Sequence, residues 1–181
     1  EFLSELAISA IYVTHDQIEA LTISDDIAVM RSGRVVERGT PQDIYLRSDD
    51  QFVVGFIGRA NFLQAVVKTY QSANRCTVTS PLGDIVCSAP KGLETGSPVT
   101  IYTRPESFEV VAPETVPSEN VFEGTVTNVL FAGEAHEIEF LIGQATVLAK
   151  IEFSIPLQKG DKVRLHIGPE WCRVLNPQEG A

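Results

Sequence analysis

One histidine, His15, is the side chain best placed to do chemistry in this chain. It follows four consecutive apolar residues, Ala10 to Val13, and such a run without alternation predicts a strand buried on both faces. Thr14 has Gln17 three residues on, which is the spacing of a capping box and predicts the start of a helix. His15 is therefore expected where a strand ends and a helix begins, and ligands of open α/β sheets bind at such places.

The other histidines and the cysteines do not predict a metal site. His136 and His166 lack a second ligand at metal spacing, and the cysteines show no Cys-x-x-Cys pattern. An odd number of scattered cysteines is typical of a reducing compartment, where buried thiols are the default interpretation. The three cysteines are Cys76, Cys87 and Cys172.

The chain is acidic throughout, with 14 basic and 24 acidic residues and a formal net charge of −10. Split after Ile57, the first part carries 4 basic and 10 acidic residues and the rest carries 10 and 14. Acidic surfaces repel a phosphate backbone, so we expect no nucleic-acid partner. The sequence has no run of 18 apolar residues and no signal-peptide pattern, and we expect a protein that is neither membrane-spanning nor secreted.

Up to residue 58, helical and strand patterns alternate. Apolar side chains within residues 2–6 suggest the end of a helix ahead of the predicted strand. Two apolar runs within residues 27–37 flank a glycine and predict a hairpin. Thr40 followed by Pro41 predicts the first turn of a helix, and a second short helix is expected over residues 49–57. Its predicted apolar face holds Phe52, Val53, Phe56 and Ile57.

After residue 58 the pattern becomes that of a small β-barrel or sandwich, and the predicted fold class is mainly β. Short strand-like runs alternate with Gly, Pro and Asn turns. The ten predicted strands are 62–68, 75–79, 84–87, 99–103, 108–111, 122–130, 135–140, 146–151, 162–167 and 172–175.

An internal repeat lies within this part. Residues 96–110 align with residues 160–174 at a separation of 64, sharing Gly, Val, an aliphatic residue, Pro-Glu and Val. Each copy predicts a turn, a strand, a Pro-Glu corner and a returning strand, so we expect two similar half-units. The alternative is chance similarity between Gly-containing hairpins.

The segment around His15 resembles the histidine switch loop of ABC transporter ATPases. In that family the histidine contacts the γ-phosphate of ATP and helps to hold the attacking water. The resemblance continues in the family's order through residues 24–30, 32–41, 44–45 and 52–58. It implies that the full-length subunit is an ATPase that uses ATP and Mg, with His15 as its γ-phosphate switch.

Other motifs of that family are missing from these 181 residues. There is no Gly-x-x-x-x-Gly-Lys-Ser/Thr loop, no Gly-rich signature segment and no apolar run ending in Asp-Glu. We therefore expect a C-terminal part of a longer subunit that does not hydrolyse ATP alone. The strand before His15 would then lack its family neighbours, and it is expected to be disordered, exchanged between copies or paired with absent parts.

The β-rich part resembles the TOBE module, an oligonucleotide-fold-like β-domain that follows the ATPase core of many importers. The expected organisation is an ATPase segment over 1–58 and a TOBE regulatory domain over 59–181. The loop 131–135 departs from the family pattern. The residues that carry the resemblance are Ala60 to Leu63, Arg104 to Glu106, Gly124, Val126, Val129, Phe131, Gly133, Gly160, Asp161 and Val163.

These resemblances imply a regulatory and dimerisation part of an importer's ATP-hydrolysing subunit. Its implied partners are transmembrane permease subunits and a second copy of itself, on the cytoplasmic inner face of the membrane. The alternative is a sensor of small oxyanions or of the solute, for which Thr77, Thr79, Ser80 and Lys91 are available donors. A third possibility, nucleic-acid binding by a barrel, needs a basic groove and is ranked last. The transported solute is not specified by these residues.

Overall fold

The computed structural model describes residues 9–72, 74–112 and 119–175. The chain divides into two compact units, Glu1–Ser48 and Asp49–Ala181. The helix end predicted within residues 2–6 lies outside the described residues. The expected domain boundary after residue 58 stays a prediction about family organisation, because the second compact unit already begins at Asp49.

The described part of the first unit, residues 9–48, contains two short helices around a hairpin. Helix α1 spans Gln17–Ile23, strands β1 and β2 span Ile27–Arg31 and Arg34–Gly39, and helix α2 spans Pro41–Arg47. The hairpin turn places Ser32 and Gly33 at φ 52° and 77°, the left-handed region that such tight turns require. The Thr40 hydroxyl accepts a hydrogen bond from the Asp43 N–H at 3.2 Å, so the predicted cap is confirmed.

Residues 10–13 form no strand in this chain, and Ile11 and Val13 are 98% and 91% exposed, because no described strand pairs with them. Pairing of this run with a second copy or with other parts of the subunit stays a prediction. The predicted cap is wrong, because Thr14 does not cap the following helix. Asp16 does so, because its carboxylate accepts the N–H groups of Ile18 at 2.9 Å and Glu19 at 3.1 Å.

Within the described residues, the second unit starts with a helix and continues with ten strands, so every predicted strand is present. Helix α3 spans Gln51–Ile57 and is capped by Asp50. Two 3-10 turns, Pro105–Ser107 and Pro169–Trp171, form the Pro-Glu corners. The strands are β3 (Asn61–Ser72), β4 (Arg75–Ser80), β5 (Gly83–Ser88), β6 (Pro98–Thr103), β7 (Phe108–Val111), β8 (Val121–Phe131), β9 (His136–Ile142), β10 (Ala145–Ile151), β11 (Lys162–Ile167) and β12 (Cys172–Val174).

The ten strands form two sheets that share one core. One is a closed barrel in the order β12-β5-β4-β3-β6, and the other is a five-stranded sheet in the order β10-β9-β8-β11-β7. One continuous apolar cluster contains inward-facing residues of both, from Leu63 on β3 to Leu165 on β11. The mainly β prediction is confirmed.

The internal repeat corresponds to an exchange of strands. In each copy the first strand stays in one sheet and the strand after the Pro-Glu corner joins the other sheet. Phe108 on β7 pairs with Ile167 on β11, and Cys172 on β12 pairs with Thr103 on β6, so the two pairings are equivalent at an offset of 64. The strands before the repeat are equivalent too, at an offset of 59 from β3 to β8 and of 62 from β4 and β5 to β9 and β10.

Helix α3 packs against the β-strands of its own unit. Its buried side chains are Val53, Val54 and Ile57, and Val54 lies in one cluster with Tyr102 and Leu175. The predicted apolar face is therefore partly wrong, because Phe56 is exposed and stacks on Phe52 at 5.5 Å between ring centroids.

Candidate functional site

His15 lies on an exposed loop immediately before α1. Glu19 on the first turn of that helix organises this loop. Its carboxylate accepts hydrogen bonds from the Tyr12 hydroxyl at 3.2 Å and the Thr14 hydroxyl at 3.0 Å. The Thr14 hydroxyl in turn accepts the Asp16 N–H at 2.9 Å. The loop that presents His15 is thus held by its own side chains.

The electrostatic surroundings of His15 are acidic. The hydrogen bond to Glu19 and the charge of its carboxylate raise the pKa of Tyr12 above its ordinary value. The N–H groups of Ile18 and Glu19 in the first turn of α1 are already bound by the Asp16 carboxylate and are not offered to a phosphate. An exposed imidazole can still donate a hydrogen bond to a phosphate oxygen that other groups hold in place. His15 can therefore add one hydrogen bond to a phosphate that other groups bind, but the described residues of this loop do not supply the several donors that tight binding needs.

Arg104 in the second unit has a structural role. Its side chain is buried, and Nη1 donates to the carbonyl oxygens of Val54 and Gly58, both at 3.0 Å, and of Arg59 at 3.1 Å. These carbonyls lie at the end of α3, where backbone acceptors lack partners within the helix. Arg104 therefore anchors the end of α3.

Two asparagines hold the halves of the β-unit together. The side chain of Asn61 donates to the Leu148 carbonyl at 2.9 Å and accepts the Leu148 N–H at 2.8 Å. Asn120 makes the same pair of bonds with Val86, each at 2.8 Å. Each amide thus completes the edge of a strand in the other half. Sequence reasoning missed Asn120. A signal was present, because Asn61 and Asn120 each stand at the start of a strand-like run and are 59 residues apart.

Two of the four donors available to an oxyanion sensor, Thr79 and Ser80, already donate hydrogen bonds within the protein. Thr77 accepts from Gln71 at 2.9 Å, and Thr79 donates to Asp84 at 2.8 Å. Ser80 donates to the Gly83 carbonyl at 3.0 Å. A hydrogen bond with Lys68, and a second with Thr79, lower the pKa of Asp84, so this carboxylate stays charged beside Thr79 and is paired with the Lys68 ammonium. The fourth donor, Lys91, is exposed on the turn after β5.

In the part of the chain that the structure describes, no three His, Cys, Asp or Glu side chains are grouped as metal ligands. The expectation of no metal site rests on spacing and is not tested by a structure without ligands.

Comparison with known proteins bears on both units. Residues 91–175 match the model of the TOBE domain family. Over 176 residues, or 97% of the chain, the sequence is 36% identical to the spermidine/putrescine import ATP-binding protein PotA of Acetivibrio thermocellus. It is 38% identical over 135 residues, or 75% of the chain, to PotA of Clostridioides difficile. The chain belongs to the family of ABC importer ATP-binding subunits with a TOBE domain, and it corresponds to their C-terminal portion.

The alignments also fix the extent of the match. The chain spans 46% of the A. thermocellus protein and 36% of the C. difficile protein, so it covers less than half of these relatives. The predicted family is therefore confirmed for a portion of the subunit. The activity and partners of the whole subunit are therefore a matter of proposal for this chain.

A solved structure supports the fold of the β-unit. The cytoplasmic molybdate-binding protein ModG matches with a TM-score of 0.57, at 12% sequence identity, over 65% of this chain and 96% of ModG. At this identity the likeness shows a shared fold.

Proposed function

We propose that this chain is the regulatory and dimerisation part of the ATP-hydrolysing subunit of an ABC importer. The observation that carries the proposal is the match over 97% of the chain to PotA, which includes both the His15 loop and the β-unit. In the full-length subunit, ATP and Mg occupy a site whose phosphate loop lies outside these residues, and His15 contacts the γ-phosphate. The fragment alone does not hydrolyse ATP.

The geometry of the His15 loop supports this division of roles. The imidazole is exposed, the N–H groups of Ile18 and Glu19 are bound by Asp16, and the neighbouring side chains are acidic. A polyanion such as MgATP needs basic groups or free N–H donors to bind tightly. Tight binding of MgATP must therefore come from other residues of the full-length subunit, and His15 adds only the contact with the γ-phosphate.

The proposal is tested by titrating residues 1–181 with MgATP in a calorimeter, with His15→Ala as the matched variant. We expect no heat of binding from either protein. Tight binding by the unaltered chain that His15→Ala abolishes would contradict the claim that the nucleotide site lies mostly elsewhere. In a chain extended to include a phosphate loop, His15→Ala should lower the rate of ATP hydrolysis by 100-fold or more, a loss of about 3 kcal/mol of transition-state stabilisation.

The partners follow from the same assignment. The subunit is expected to work with transmembrane permease subunits and as a homodimer through its ATPase and β-domains, on the cytoplasmic inner face of the membrane. Within the described residues, the structure contains no helix long and apolar enough to cross a membrane. Nucleic acid is not among the proposed partners, because both parts of the chain are acidic.

The second candidate is a regulatory domain that senses an oxyanion or the transported solute. The fold shared with a molybdate-binding protein favours it. The hydroxyls of Thr79 and Ser80 already donate hydrogen bonds within the protein, which disfavours a site on β4 that needs these donors. Titration with molybdate, sulfate and phosphate separates the two candidates, because saturable heat supports the sensor and a flat response removes it.

A further inference from the structure

The closed barrel contains three cysteines in its interior. Cys76 on β4, Cys87 on β5 and Cys172 on β12 are all fully buried. The thiol of Cys87 donates a hydrogen bond to the sulfur of Cys172 across 3.3 Å, although the two residues are 85 positions apart in the chain. Cys76 is the cross-strand neighbour of Cys87.

The other half of the β-unit shows that packing there does not require sulfur. At the offsets that relate the halves, Cys172 corresponds to Phe108 and Cys87 corresponds to Ala149. The position equivalent to Cys76 is Ile138. All three are buried in the same core. A large and a small apolar side chain thus occupy the place that two thiols occupy in the barrel.

Strand β12 is the place where a covalent bond would matter most. It has three residues, and it meets β5 through a single residue pair, Arg173 with Ser88. Arg173 also pairs with Asp49 at 3.3 Å, and Leu175 just beyond the strand packs with Val54 of α3. The closure of the barrel and the seat of α3 therefore both depend on this short strand.

We propose that Cys87 and Cys172 are a modification site, which a peroxide oxidises to an intramolecular disulfide that locks β12 to β5. The proposal is independent of the transport function. A disulfide needs sulfur atoms about 2.05 Å apart, so the sulfurs must approach by about 1.3 Å. That displacement is within the reach of side-chain rotation and a small shift of a three-residue strand.

The chemistry balances with one molecule of hydrogen peroxide. The thiolate of one cysteine attacks a peroxide oxygen, the O–O bond breaks, and the leaving hydroxide takes a proton to become water. The resulting sulfenic acid is attacked by the other thiolate, so that the S–S bond forms, the S–O bond breaks and a second water leaves. Two thiols are oxidised by two electrons and the peroxide is reduced to two waters.

Burial makes the reaction slow in the closed barrel. The hydrogen bond to Cys172 and the loss of solvation raise the pKa of Cys87, and burial raises the pKa of Cys76 to about 11. The thiolate form is therefore scarce at neutral pH. We expect the rate of bond formation to rise with pH and with low concentrations of urea, because both increase the exposed thiolate.

The test begins with the reduced 181-residue chain. It is incubated with hydrogen peroxide, with and without mild urea, alkylated in strong denaturant and digested with trypsin and Asp-N. These proteases separate the three cysteines into the peptides Cys76–Gly83, Asp84–Lys91 and Leu165–Arg173. We expect a peptide in which Asp84–Lys91 is linked to Leu165–Arg173, with a mass two hydrogen atoms below the sum of the two free peptides. Cys76 should be alkylated.

Variants and a second measurement complete the test. Cys76→Ala should keep the cross-link, and Cys172→Ala should lose it. The oxidised chain should melt at a temperature on the order of 10 °C higher than the reduced chain, because the bond closes a long loop, and a reductant should reverse the shift. A dominant bond between Cys76 and Cys87, or three alkylated cysteines both with and without urea, would overturn the proposal.

Discussion

At two places in the β-unit, a single amide side chain makes the pair of hydrogen bonds that a neighbouring strand would otherwise make. A strand edge that is buried without a partner leaves N–H and C=O groups unsatisfied, at a cost of about 1–3 kcal/mol per group. Asn61 and Asn120 each carry one donor and one acceptor in the geometry that one residue of a neighbouring strand would supply. These two side chains therefore join the halves by hydrogen bonds to backbone groups of β10 and β5.

Replacing these amides should destabilise the unit, and the two positions should differ. Asn61→Ala is expected to lower the free energy of unfolding by about 1–3 kcal/mol, because Leu148 loses both partners. Asn120→Ala should cost about 1 kcal/mol more, because Asn120 has φ 49°, a conformation that alanine tolerates poorly. Urea denaturation measures both changes.

A matched pair of controls isolates the two causes. Asn120→Gly keeps the tolerance of positive φ but removes the amide, so it should be less damaging than Asn120→Ala. Gln64→Ala removes an exposed amide that bonds only the Thr100 hydroxyl, and it should change stability by no more than about 0.5 kcal/mol. Equal losses at Asn61 and Gln64 would contradict the role assigned to Asn61.

At the level of elements, the two equivalent hairpin turns meet each other. The turn between β4 and β5 contains Pro81, and the turn between β9 and β10 contains Gly143, its equivalent at an offset of 62. The Gln144 N–H donates to the Pro81 carbonyl at 3.0 Å. A Cβ at Gly143 would lie 2.5 Å from that carbonyl oxygen, so only glycine allows the approach.

Gly143→Ala is expected to destabilise the β-unit more than Gly133→Ala. Both glycines have positive φ, 57° and 78°, so both changes carry a conformational cost of about 1 kcal/mol. Only the Cβ at Gly143 meets backbone, whereas a Cβ at Gly133 has nothing within 4 Å. Thermal melts should show an additional loss of about 1–3 kcal/mol at Gly143. Equal melting temperatures would mean that the two turns do not contact in solution.

At the level of the whole chain, α3 belongs to the β-unit although it precedes the first strand. Its residues Val53, Val54 and Ile57 are buried, and Arg104 holds the carbonyls at its end. The compact unit therefore begins at Asp49. Residues 49–58 belong with the ATPase segment in the predicted organisation, yet they contribute to the stability of the β-domain.

This boundary is tested by comparing residues 49–175 with residues 59–175. The shorter fragment loses the contact of Val54 with Tyr102 and Leu175, and two of the three carbonyl acceptors of Arg104, those of Val54 and Gly58. It should be less stable by at least about 3 kcal/mol, from lost apolar burial and from a buried cation without those acceptors. Residues 49–175 should melt at the temperature of the same transition in the whole chain. Indistinguishable urea midpoints for the two fragments would place the boundary after residue 58.

Local patterns in the sequence were sufficient for the strands, the Thr40 cap, the hairpin and the repeat. Alternation, capping residues and turn residues act over a few neighbouring positions, and the ten described strands of the β-unit follow from them.

Long-range partners could not be predicted in this way. The apolar run before His15 has the pattern of a buried strand, but burial needs neighbouring strands, and the described residues give it none. The exchange of β7 and β12, the amide bonds of Asn120 and the contact between Cys87 and Cys172 join residues far apart in the chain. Such contacts depend on how the two halves pack, which no short stretch of sequence encodes.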